Sequence, residues 1–242
     1  MVAGRRASLE AVRSGSASEL LVAAGARDTA ALRELLSAAS TSGVEVRRVP
    51  RVDLDRLADD HHGVVARVKQ PEELGERDLA EWPFEEDALV VVLDGISDPQ
   101  NLGAAARSAE AAGAAMLVSR THRGAPVTPA AIRASAGALL HLPHARIANI
   151  TRAIGRLRDA GFSIVGLDER ATSTVYEASC PGGRVALVLG SEGVGLSRLV
   201  REACDTLVSL PMRGRVSSLN ASASLAAVLY AYVLPPRTAP RA

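Results

Sequence analysis

Leu187 to Ser224 reads LVLGSEGVGLSRLVREACDTLVSLPMRGRVSSLNASAS. Two short apolar runs, Val185 to Leu189 and Leu207 to Leu210, have the length and β-branched content of buried strands. Each ends at a residue that redirects the backbone, Gly190 and Pro211. Behind each lies a loop of glycine, serine and charged residues, where main chain can approach a ligand closely and present its own N–H and C=O groups. Ser217, Ser218, Leu219 and Asn220 form a helix-start signature, followed by a helix of small residues that ends at Pro235 and Pro236. Strand, loop and helix in this repeated order belong to an α/β domain.

Working upstream, Ala88 to Leu93 is a continuous apolar run, as expected of a central parallel strand. It leads through a turn rich in Gly, Asp, Pro and Asn, Asp94 to Gly103, into a helix that ends at Gly113. This corner is not a dinucleotide site, because no G-x-G-x-x-G follows the strand and Ser119, Thr121 and Arg123 stand where an acidic ribose partner would be needed. Asn101 at the helix mouth reads, on its own, as an N-cap. Arg107 lies four residues after Gly103, and a long helical side chain leans back one turn, so its guanidinium is expected over Gly103 near the positive end of the helix dipole. That is a place suited to a phosphate group. Ala114 to Val118 and Phe162 to Leu167 read as strands, Pro129 to Ala138 and Thr151 to Ala160 as helices, and Asp168 to Gly183 as a polar loop region. Such alternation predicts a parallel sheet covered on both faces.

The first seventy residues repeat the α/β theme on a smaller scale. Leu9 to Val12 is helical, Glu19 to Ala23 a strand, and Thr29 to Ala39 an amphipathic helix with Leu32, Leu35 and Leu36 inward and Asp28 as cap candidate. Val44 to Val49 and Gly63 to Val68 are strands flanking a short helix, Asp53 to Leu57. Arg5, Arg6, Arg47, Arg48 and Arg51 are the densest positive charges. Residues 71–87, with Pro71, Gly75, Pro83 and many acids, read as a linker with a helical turn, and Trp82 as its staple to a domain surface. The division is therefore 1–70, 71–87 and 88–242.

Composition narrows the class. With 242 residues, 48% of them hydrophobic, and a formal charge of +1, the chain can bury a proper core and carries no global advertisement for nucleic acid. Any RNA footprint has to be a local patch. Lys69 is the only lysine, a skew that reflects coding bias more than selection for RNA. No run approaches the ~18 apolar residues of a membrane span and the N-terminus lacks an apolar signal core, so the cytoplasm is expected. Cys180 and Cys204 match no metal-ligand spacing, and the pair His61 and His62 is no metal site, so no metal is expected.

Three strings in order, DPQNLGAAARSAEAAG from Asp98, GSEGVGL from Gly190, and LPM followed by SSLNASAS, resemble the three motifs of the SpoU/TrmH branch of the SPOUT RNA methyltransferases. The layout, with a small α/β domain in front, resembles the RlmB-type members, whose leading domain engages RNA. The resemblance implies an α/β fold whose C-terminal parallel-sheet domain carries a deep trefoil knot, a feature that general topology rules would not anticipate. It also implies S-adenosyl-L-methionine as cofactor, RNA as partner, a homodimer, and 2′-O-ribose methylation, with a guanosine of 23S ribosomal RNA as the first target. Enzymes acting on tRNA and antibiotic-resistance enzymes share the motifs and remain alternatives, as does a non-catalytic RNA-binding or ribosome-assembly protein. On the matched positions, Asn101, Arg107, Glu192, Ser218 and Asn220 are the catalytic set, Gly190, Leu210 and Leu219 hold the cofactor through their backbone, and Arg5, Arg6, Arg47 and Arg48 are the RNA-binding candidates. Glu192 is expected to pair with Arg107. Position 62 departs from the family's His-Gln-Gly by carrying His.

Overall fold

The computed structural model describes residues 1–215 and 218–235, so Ser217 and Pro236 of the expected helix boundaries lie outside the described residues. The first unit contains β1 (Val2–Ala3), α1 (Arg5–Arg13), β2 (Ala17–Ala23), α2 (Ala30–Thr41), β3 (Glu45–Val49), α3 (Arg51–Asp55) and β4 (Val64–Val68). Its sheet has the order β1-β4-β2-β3, with β2 and β3 parallel and the other neighbours antiparallel. Period-two alternation sends Leu20 and Val22 toward Leu9, Val12, Leu32 and Leu35 on one face, and Leu21 and Ala23 toward Leu54 on the other. The cap of α2 is Thr29, whose hydroxyl accepts from the Leu32 N–H, and not Asp28, which instead pairs with Arg33 in solvent.

The second unit follows with β5 (Glu73–Leu74), α4 (Glu76–Glu81), β6 (Leu89–Asp94), α5 (Pro99–Ala111), β7 (Met116–Arg120), α6 (Pro129–Ala134), β8 (His144–Ile147), α7 (Ile150–Asp159), β9 (Ser163–Leu167), β10 (Val185–Gly190), α8 (Arg198–Glu202), β11 (Thr206–Val208) and α9 (Ala221–Val228). Seven parallel strands lie in the order β11-β9-β10-β6-β7-β8-β5. The stretch read as a linker thus supplies the sheet's last strand and a helix, and Trp82 packs against the core beneath it. Both faces are covered. Leu89, Val91 and Leu93 meet α5, α6 and α9, while Val90 and Val92 meet α4, α7 and α8. A strand buried on both sides has no polar positions to spare, which is why β6 and β10 are uninterrupted apolar runs.

The two units share packing. Val2 and Ala7 of the first belong to the core of the second, and Glu10 of α1 rests against Gly137, where an added Cβ would come within 2.4 Å of the glutamate's Cβ. Gly137 also has φ +97°, so the position favours glycine on both counts. His141 Nε2 lies 3.1 Å from Glu10 Oε2, and the Arg133 guanidinium donates to the Asp59 carbonyl at 3.3 Å.

Candidate functional site

The sheet orders its strands so that β10 is inserted between β6 and β9, and the loops leaving β9 and β10 face each other at their carboxyl ends, where ligands of open parallel sheets bind. A cavity of about 660 Å³ opens there. Its walls are Leu167 to Arg170, Leu189 to Gly195, Arg201, Leu210, Met212 and Ser218 to Ala221, with Ser224 behind.

Local chemistry explains the loop after β10. Ser191 and Gly195 exchange both backbone hydrogen bonds, N to O at 3.2 and 2.9 Å, and Gly193 and Gly195 take φ +76° and +72°. The turn folds back so tightly that a Cβ on Gly190 would sit 2.0 Å from the Gly195 carbonyl carbon. Gly190 is needed first for the close approach of its own loop. Beneath that loop, Asp94 is 3% exposed; it accepts from Arg120 Nε at 2.7 Å and from the Ser197 N–H at 2.8 Å, anchoring the start of α8. Asp168, also buried, accepts from Arg201 and from the Arg170 N–H, which fixes the opposite wall.

The three sequence motifs meet at one carboxylate. Glu192 Oε1 accepts from Asn220 Nδ2 at 2.6 Å, from Asn101 Nδ2 at 3.2 Å and from the Ala221 N–H at 3.3 Å. Asn220 Nδ2 also donates to Asn101 Oδ1 at 2.9 Å. The Asn220 side-chain oxygen meanwhile caps α9 through the N–H groups of Ser222 and Ala223, so this residue both starts the helix and joins the cluster. A carboxylate at a helix N-terminus is favoured by the dipole there. Ser218 and Leu219 stand exposed on the cavity wall, and Leu210 is half-buried.

Three expectations change. Asn101 lies within the first turn of α5; the cap is Asp98, accepting from the Gln100 N–H, with Pro99 as the first helical residue. Arg107 is exposed and makes no ion pair among the described residues, because Glu192 is turned toward Asn220 and Ala221 at the α9 N-terminus and toward Asn101 of α5. Gly103 offers Arg107 no room either. Its missing side chain is filled by α6, since a Cβ there would lie 2.4 Å from the Ala131 carbonyl oxygen. That glycine serves helix packing.

The arginine candidates of the first unit separate. Arg47 is bound to Glu19 at 2.8 Å, which Arg67 also holds, whereas Arg48 is the next residue along an edge strand and so projects from the opposite face. Arg5 and Arg6 instead line a second cavity with Arg27, Arg51, His62 and Gly63. Sequence reading had no signal for Arg27, a single arginine beside Asp28 in the loop after β2. His61 is 3% exposed, with Nδ1 accepting from the Gly63 N–H and Nε2 near Asp55 Oδ1 at 2.8 Å, a structural role that orients the turn bearing His62. Among the described residues no group of three or more His, Cys, Asp or Glu gathers to hold a metal, and no helix is long and apolar enough to cross a membrane.

Comparison with known proteins places this architecture. Residues 88–230 match the SpoU rRNA Methylase family, and residues 1–74 match the substrate-binding domain of RNA 2′-O ribose methyltransferases. An uncharacterized tRNA/rRNA methyltransferase of Mycolicibacterium vanbaalenii is 44% identical over 238 residues, covering 95% of this chain and 74% of its own length. The 23S rRNA (guanosine-2′-O-)-methyltransferase RlmB of Haemophilus influenzae is 40% identical over 211 residues, covering 86% of this chain and 85% of its own. The SpoU methyltransferase AviRb of Streptomyces viridochromogenes, solved with AdoMet, superposes with a TM-score of 0.78 at 33% identity over 98% of this chain and 90% of its own. The chain belongs to the SpoU rRNA methylase family, as an RNA 2′-O-methyltransferase with the family's substrate-binding domain at its N-terminal end.

Proposed function

We propose that the chain transfers a methyl group from S-adenosyl-L-methionine to the ribose 2′-hydroxyl of a guanosine in 23S ribosomal RNA. The observation that carries this reading is the Asn101, Glu192 and Asn220 cluster, which ties all three motif segments to the rim of the 660 Å³ cavity. The cavity fits the cofactor: it has the volume of a small-molecule site, apolar walls at Leu210 and Leu219, and backbone polar groups exposed by the Gly190 turn. When bound, S-adenosylmethionine supplies an electrophilic methyl on a sulfonium centre. The guanosine assignment is supported by the likeness to the Haemophilus protein over most of both chains.

The residues divide the work. Gly190, Leu210 and Leu219 hold the cofactor by their backbone, and the Asp94 and Asp168 ion pairs keep those loops in place. Glu192 and Asn220 orient Asn101 toward the mouth of α5, and Ser218 offers a hydroxyl on the same wall. Arg107 positions the ribose and an adjacent phosphate, and stabilises negative charge as it develops on the 2′-oxygen. Its part is to position and to stabilise charge, while the 2′-hydroxyl proton passes to solvent water. A homodimer formed by the second unit, with the C-terminal segment threaded as the family's knot, completes the proposal. Its support is the apolar surface left at the cavity rim, where Val194 is 70% exposed and Leu219 47%.

Incubating the protein with S-adenosylmethionine and, separately, ribosomal RNA and tRNA, then mapping 2′-O-methyl groups, tests the reading. One new guanosine mark on 23S RNA is the expected outcome. A mark on tRNA alone would move the target, and no mark on either RNA would remove the proposal.

A further inference from the structure

The small domain contains a cavity of about 610 Å³ at the start of α1. Four arginines from three separate segments border it: Arg5 and Arg6 on α1, Arg27 in the loop after β2, and Arg51 at the start of α3. No Asp or Glu lines it. Arg5 is held in place by its own hydrogen bonds, to the Thr29 hydroxyl at 2.6 Å and the Arg27 carbonyl at 3.4 Å, yet its Nε is buried without a partner among the described residues. Helix α1 opens at Gly4 with no side-chain cap, so the positive end of its dipole is unopposed by a capping oxygen. Arg51 has only a loose 3.9 Å approach to Asp55, and Arg6 and Arg27 are exposed.

Gathering four cations around one hollow is unfavourable unless an anion is to be taken. A second fact selects how RNA would be recognised there. The first seventy residues contain no Phe, Tyr or Trp, and the one aromatic ring among the residues that line the cavity is the His62 imidazole, so four guanidinium groups face a single small stacking surface. We propose that this cavity is a phosphate cradle that grips the sugar-phosphate backbone of the substrate RNA and reads no base. The inference rests on the reading of the chain as an RNA methyltransferase and deepens it by dividing the labour: the small domain supplies grip and register, and base choice is made elsewhere.

The test uses the full chain carrying Arg27→Ala and Arg51→Ala together, with Arg33→Ala as a control outside the cavity. Affinity is measured over a series of KCl concentrations for a 23S RNA fragment and for a helix-preserving variant of altered base sequence. The double variant should lose affinity about tenfold or more for both RNAs equally, and its log–log salt slope should fall by about 0.7 for each lost phosphate contact. Arg33→Ala should leave that slope unchanged, and S-adenosylmethionine binding and the unfolding midpoint of the double variant should match the parent. An unaltered slope in the double variant, or a loss confined to one base sequence, overturns the cradle while leaving methyl transfer by the parent intact. A parent that binds and methylates no RNA overturns the cradle together with the reading beneath it.

Discussion

The two cavities are built by opposite means. The cavity at the carboxyl ends of β9 and β10 is shaped by main chain: a glycine turn folded on itself, and two loops pinned by buried carboxylates. The cavity in the small domain is shaped by exposed cationic side chains brought from distant segments. Buried charge in the first case fixes backbone, and exposed charge in the second is left for a partner. The contrast predicts where a substitution will unfold the protein and where it will only weaken binding.

The largest expected effect is at Asp94. Replacing this carboxylate with Ala leaves Arg120 half-buried without its partner and frees the Ser197 N–H. Loss of one partner of a buried pair costs about 3–5 kcal/mol, so urea denaturation should show a shift of that order, with S-adenosylmethionine affinity falling as the loop loosens. A stability within 1 kcal/mol of the parent would mean that the loop is held by its glycines alone.

Next comes Arg107→Ala, which should slow methyl transfer by about two orders of magnitude while S-adenosylmethionine binding and folding barely change, because the side chain is exposed and outside the cofactor cavity. Arg107→Lys should also fail, since lysine lacks the planar fork that can hold a hydroxyl and a phosphate together. Single-turnover rates decide both.

The interior of the large sheet should also respond to pH. Burial, with the Arg146 charge second, pulls His144 from 6.5 down to about 4. Between those values the unfolded chain binds a proton there and the folded chain does not. Stability is therefore fully present above pH 6.5 and declines as pH falls toward 4. At 1.36 kcal/mol for each pH step, the loss from this residue is about 2 kcal/mol at pH 5. Chemical denaturation at pH 7 and pH 5 should show a smaller difference in His144→Gln than in the parent. Equal differences would mean that His144 is protonated alike in both states.

The smallest effect belongs to Arg47→Ala. The pair with Glu19 is solvent-exposed on the arginine side and Arg67 remains to hold the carboxylate, so the unfolding midpoint should barely move. Its effect on RNA affinity should fall below that of the Arg27 and Arg51 pair. An equal effect would extend the cationic surface onto the edge strand.

How much of this was legible in the sequence follows the same contrast. Backbone-built features announce themselves locally: the apolar runs of β6 and β10, the Gly190 turn, and the motif residues Asn101, Glu192 and Asn220 were all readable, and the three motif residues meet in one hydrogen-bonded cluster. Elements too short or too polar to show a period were missed. The strand β8 is His-Ala-Arg-Ile, and β5 has two residues supported only by its neighbour. Side-chain partners were least legible. Glu192 chose three N–H donors over Arg107, and Thr29 displaced Asp28 as a cap, by differences of direction that one-dimensional spacing does not encode. The arginine cavity needed the fold itself, because Arg27 and Arg51 are 24 residues apart.

Helix α1 has a mechanical consequence. It places Arg5 and Arg6 at one cavity, lends Ala7 to the core of the other unit, and sets Glu10 against Gly137, just beyond α6. The helix α6 in turn presses on α5 at Gly103, two residues from Asn101. A path of contacts from α1 through Gly137 and α6 to α5 thus joins the arginine cavity to the Asn101 end of α5, like the beam of a calliper. If phosphates are held at the arginine cavity and the ribose meets the mouth of α5, an RNA in which those two points lie at another separation would seat only one of them, so the folded shape of the RNA would be gauged by the spacing of the two sites.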